Sequence, residues 1–98
     1  MGNQVYSKNE YMIIKVSKGF VIINRTKKFE DGHTHLRSFK TAKFLIDLAI
    51  HKNMPHHLSP YLLTSLSRIT ADENYKQKVL ALVESKDNRK KQRYKQSA

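Results

Sequence analysis

Two short apolar runs, each alternating from residue to residue and separated by a glycine, constrain this chain most. Tyr11–Val16 alternates, with Met12, Ile14 and Val16 pointing one way and Tyr11, Ile13 and Lys15 the other. Phe20–Asn24 resumes the pattern after Lys18-Gly19, and a glycine suits a tight turn. Together they predict a β-hairpin. Asp31-Gly32 is a second turn signal. It extends the middle strand through Arg25–Glu30 and joins it to His33–Arg37, completing a three-stranded antiparallel meander.

Two-residue loops at both turns set Ser17 against Phe20, Val16 against Val21, Ile14 against Ile23 and Phe29 against Thr34. One face then holds Met12, Ile14, Val16, Val21, Ile23, Phe29 and Leu36, and reads as the core face. The other holds Tyr11, Ile13, Lys15, Phe20, Ile22, Asn24, Lys28, His33, His35 and Arg37, a mixture of aromatic, aliphatic and basic groups.

The period changes to that of a helix after Ser38, which suits an N-cap. Phe39, Ala42, Leu45, Ile46, Ala49 and Ile50 make one stripe, and Asn53 and Pro55 end it. Ser59-Pro60 starts a second helix carrying Leu62, Leu63, Leu66 and Ile69. Thr70-Ala-Asp-Glu73 matches a capping box before a third, with Tyr75, Val79, Leu82 and Val83 on one side. The expected class is α+β: a three-stranded antiparallel β-meander followed by three helices, βββααα. Residues 1–85 form a single domain, and 86–98 form a basic C-terminal tail or helix extension.

Charge separates the functional classes. The 98 residues hold 19 Lys+Arg and 8 Asp+Glu, a formal net charge of +11. The excess has two sources, a basic front half and a basic tail, with a near-neutral stretch between them. Such a charge favours polyanionic partners. Cysteine is absent, which excludes disulfides, thiolate nucleophiles and cysteine-held metals. No apolar run approaches the roughly 20 residues of a membrane helix, and the first residues lack the apolar stretch of a secretion signal. The expectation is a cytoplasmic protein with no membrane partner.

Three groups of residues are candidates for chemistry. On the mixed sheet face, Tyr11 and Phe20 would stack on bases while Lys15, Lys28, His35 and Arg37 meet phosphate. The competing reading is that helices cover this face, making its aromatics ordinary core. In the tail, Lys86, Arg89, Lys90, Lys91 and Arg93 would track a phosphate backbone if helical; the alternative is a solvated, fraying end. His33-Thr-His35 places two imidazoles on one side of a strand, a spacing some metal sites use, against the plainer reading of two surface histidines. No paired carboxylates, glycine-rich phosphate loop or serine nucleophile motif is present, so neither catalysis nor a cofactor or metal is expected.

The segments His35-Leu36-Arg37-Ser38, Ala42-Lys43, Leu58-Ser59-Pro60, Ser65-Leu66, Ile69 and Asp72-Glu73-Asn74-Tyr75 lie along about two thirds of the chain. They resemble small uncharacterised proteins of Gram-positive bacteria and their mobile elements. The resemblance implies a bacterial cytoplasmic setting and carries no activity. A three-stranded sheet followed by a helix is also similar, in element order alone, to the DNA-binding arm of some conjugative-transposon integrases, which lay the sheet in the major groove. The leading expectation is a non-enzymatic nucleic-acid-binding accessory protein, taking DNA or RNA. The alternative is a protein–protein interaction module or homo-oligomer using the apolar part of the sheet face.

Overall fold

The computed structural model describes the backbone of residues 3–97 and the side chains of residues 3–86. Four strands, β1 (Asn3–Lys8), β2 (Tyr11–Val16), β3 (Gly19–Asn24) and β4 (His33–Leu36), precede three helices, α1 (Phe39–His51), α2 (Pro60–Ile69) and α3 (Glu73–Ser97). The sheet is an antiparallel meander in the order β1-β2-β3-β4. The class is α+β, with four strands rather than three. The strand that the alternation does not announce is β1. Only Val5 and Tyr6 are apolar in it, it lies at the sheet edge, and its pairing with β2 slips between Gln4 and Tyr6. The last strand is short because Arg37 falls outside it.

The central hairpin forms where expected, with a different turn. Val16 pairs with Gly19 and Ile14 with Val21, so Ser17-Lys18 makes the loop. This moves the register by two residues and leaves the faces intact. Gly19 has φ +145°, and a Cβ there would collide with the Leu36 backbone oxygen. A glycine thus lets the turn lie close against the end of β4.

The second turn is not a tight hairpin. β3 ends at Asn24, and residues 25–32 form an eight-residue loop. Asn24 is fully buried and accounts for the break. Its Oδ1 accepts from the Thr26 N–H (2.9 Å) and hydroxyl (2.7 Å), turning the chain, and its Nδ2 donates to the Ile69 carbonyl (2.7 Å) at the end of α2. His33 then pairs with Ile23 and Leu36 with Phe20.

This ending reverses the two faces of the sheet. All three helices pack on the side of Ile13, Ile22, Thr34 and Leu36, and Tyr11, Ile13 and Ile22 join Leu45, Ile46, Leu63, Leu66, Ile69, Tyr75 and Val79 in the core. The expected core face is the open one: Met12, Ile14, Val16 and Ile23 on it are half-buried and Val21 is buried. The expectation failed because the supposed long strand added Lys28 and both histidines to the side that contains Tyr11. Once β3 stops at Asn24, Lys28 leaves that side, the histidines move to the other, and Leu36 joins Tyr11, Ile13, Phe20 and Ile22.

The helices follow their stripes. Ser38 accepts from Thr41 N–H (3.2 Å) to start α1, and Ser59 accepts from Leu62 N–H (3.3 Å) to start α2, with Pro60 at its first position. α3 starts differently from the expected box: Asp72 Oδ1 accepts from Tyr75 N–H (2.9 Å), while Thr70 ends α2. The connection between α2 and α3 is three residues, so the two form an antiparallel hairpin. Thr34 Oγ1 donates to Ser65 Oγ (2.9 Å), tying β4 to α2. Two further α2 side chains meet the outward edge of β4, Tyr61 Oη donating to the His35 carbonyl (2.9 Å) and Arg68 Nε to the His33 carbonyl (3.1 Å).

Candidate nucleic-acid interface

The meander places its connections at two ends. One end collects the β1–β2 turn, the β3–β4 loop, the last turn of α1 and the start of α3. The other collects the β2–β3 turn, the last residue of β4 and the first turns of α1 and α2. Glu10, Glu30, Asp31, Asp72 and Glu73 lie at the first end, and Asp47 joins them through Lys8. Among the described side chains, only Glu84, exposed on α3, falls outside this group.

Five cations at the acidic end, Lys8, Arg25, Lys27, Lys52 and Arg68, are held by the fold, while Lys28 and Lys76 there make no ion pair or side-chain hydrogen bond among the described residues. Lys8 Nζ lies 3.3 Å from Asp47, and Lys52 Nζ 2.7 Å from Asp72. That contact holds the Asp72 carboxyl below the usual carboxylate range and the Lys52 ammonium above its ordinary value. Lys27 Nζ donates to the Arg68 (3.0 Å) and Thr70 (3.2 Å) carbonyls at the end of α2. Burial, with Lys76 nearby, pushes its pKa down. Arg68 also bonds the Glu30 carbonyl (3.3 Å), and Arg25 bonds that of Asn9. Each of these cations stabilises a loop or a helix terminus.

Cations at the opposite end are exposed and lack such partners. Lys15 sits opposite Phe20, which pairs with Leu36; Arg37 follows Leu36, and the Gly19 backbone beside Lys18 abuts Arg37. Lys40 lies in the first turn of α1. Among the described residues, none of Lys15, Lys18, Arg37 and Lys40 makes an ion pair or side-chain hydrogen bond. Lys43, one turn on, lies over the rings of Tyr6 (5.2 Å) and Phe39 (5.6 Å). Neither α1 nor α2 has an acidic residue in its first turn to balance the positive end of its dipole. A cavity of about 450–570 Å³ scale is found at each end, and the one here, ≈ 570 Å³, is lined by Leu36, Arg37, Ser38, Thr41, Ser59, Tyr61 and Leu62. This end carries unbalanced positive charge among the described residues.

The residues singled out from the sequence are therefore dispersed. Lys15 and Arg37 meet at the basic end, and Lys18 and Lys40 join them. His35 is exposed on the open face, and Lys28 is exposed in the β3–β4 loop. Tyr11 is 2 % exposed, and burial pushes its phenol up to about 12. Phe20 is half-buried, its ring 5.6 Å from that of Phe39. Both belong to the helix-covered face, so the aromatic surface expected there is core. Lys86 is half-buried on α3; the side chains of Arg89, Lys90, Lys91 and Arg93 lie outside the described residues.

His33 and His35 share the open face, their rings 5.2 Å apart and edge-on. Among the described residues, no group of three or more potential ligands surrounds a metal position. Instead Phe29, 56 % exposed, stacks on His33 at 4.2 Å and 5° between planes, and His33 Nδ1–H donates to the Phe29 carbonyl. Lys18, Lys40 and Phe29 are the residues that reading the sequence missed. The signal for the cations was present as acid-free tracts, 11–29 and 32–46, which the topology brings to one end. Comparison with family models, curated proteins and solved structures returns no match.

Proposed function

We propose that the chain is a non-enzymatic nucleic-acid-binding protein whose basic end meets phosphate. The observation that carries this reading is the contrast between paired and unpaired cations. Lys15, Lys18, Arg37 and Lys40 gather without acidic partners, whereas Lys8, Lys27, Lys52 and Arg68 serve the fold. Mutually repelling charges cost a small domain stability, and a polyanion relieves that cost while releasing counterions.

Salt dependence tests the reading. Affinity for DNA or RNA falls steeply as salt rises, and each phosphate contact removed lowers the log–log slope by about 0.9 on duplex DNA or about 0.7 on single strands. Arg37→Ala with Lys40→Ala should therefore flatten the slope by about 1.4–1.8. Absence of binding to any nucleic acid at low salt overturns it. A second reading, a protein-interaction module, is favoured by the uncharged, half-buried strip of Met12, Ile14, Val16 and Ile23 on the open face. It predicts a mass in solution that grows with concentration or with an added protein partner.

A further inference from the structure

We propose that the open sheet face is a stacking surface for the unpaired bases of a single-stranded nucleic acid, with Phe29 and His33 as its platform. The proposal rests on the nucleic-acid-binding reading and specifies the form of nucleic acid bound. A single strand joins charged phosphates to flat, uncharged bases, and this molecule separates the same two properties. Strand pairing puts half-buried Met12, Ile14, Ile23 and His33 and exposed His35 on the open side around a buried Val21, and no Lys, Arg, Asp or Glu among the described residues of β1–β4 shares it. The fixed cations stand at the margins of that face: Lys18 and Arg37 at one end, Lys28 beside Phe29 at the other.

The geometry suits a short stretch of strand. At about 3.3 Å per residue, the backbone from His33 to Arg37 covers about 13 Å. Phe29 already stacks on an imidazole in parallel at 4.2 Å, and its ring is 56 % exposed. Aromatic faces of this sort hold bases regardless of sequence. A duplex hides its bases inside a sheath of phosphates, and an uncharged face has little to offer it. A second copy of this chain would have to bring another +11 against the first.

Fluorescence anisotropy with labelled oligothymidylate, oligouridylate and a DNA duplex tests this in the full chain. The single strands should bind more tightly than the duplex. Phe29→Ala should weaken single-strand binding about tenfold, leave duplex binding within about twofold, and leave the salt slope unchanged. Phe29→Tyr should restore most of the affinity. Because the ring is exposed, urea unfolding of Phe29→Ala should match the parent, separating lost stacking from lost folding. Equal effects on duplex and single strand, or no effect of Phe29→Ala, overturn the stacking face while leaving the basic end standing. Self-association abolished by Phe29→Ala also overturns it, since the face then mates with its own copy. No binding of any probe overturns both readings together.

Discussion

The two ends of this domain use similar residues for different purposes. At the acidic end, Lys8, Lys27, Lys52 and Arg68 reach across sequence separations of about 20 to 43 residues to carboxylates and carbonyls; Lys27 and Arg68 clamp the β3–β4 loop onto α2, Lys8 ties β1 to α1, and Lys52 ties the end of α1 to the start of α3. At the basic end, Lys15, Lys18, Arg37 and Lys40 have comparable side chains and clamp nothing. The difference teaches that net charge says little until each cation has been asked what it holds. Cations that hold the fold are unavailable to a partner, and those that hold nothing carry the electrostatic field.

Alkaline titration should expose the contrast most strongly. Tyr11 and Tyr75 belong to the acidic end and its core neighbours, and burial raises both phenols to about 12. A raised folded value means that the contribution is fully present below the unfolded value near 10 and is lost as pH rises through about 12. By about pH 11, midway between the two values, the pair together should cost on the order of 3 kcal/mol. Urea midpoints at about pH 8 and about pH 11 measure it, and Tyr75→Phe should reduce the loss. An unchanged midpoint would show that the phenols are hydrated.

Removing the buried amide comes next. Asn24→Ala leaves the Ile69 carbonyl and the Thr26 groups without their partner, and it should cost about 2–3 kcal/mol by urea unfolding. Arg37→Ala and Lys40→Ala, by contrast, should change stability by less than about 0.5 kcal/mol, with any change toward greater stability as repulsion is relieved. Destabilisation of that size at the basic end as well would erase the distinction between the ends.

Helix starts were legible from Ser38, Ser59 and Pro60 because capping is local chemistry. The central hairpin was legible because alternation survives a two-residue error in its turn. β1 was not, since an edge strand of polar residues with a bulge has little pattern to show. The choice of covered face was not legible either. It depended on where β3 stops, and that is decided by Asn24 bonding to Ile69, 45 residues away. The basic end was written in the acid-free tracts, yet tracts far apart in sequence become one surface only after the sheet has folded.

The side chains of Tyr61 and Arg68 on the outer carbonyls of β4 have a consequence for assembly. A sheet polymerises through its edges, and each unit of a fibre must present two. Here one edge is occupied from within, leaving β1 as the available one. Strand addition between copies would join β1 to β1 and then stop, because both outer rims of the combined sheet would be closed. Growth by edge pairing would thus end at a pair of chains.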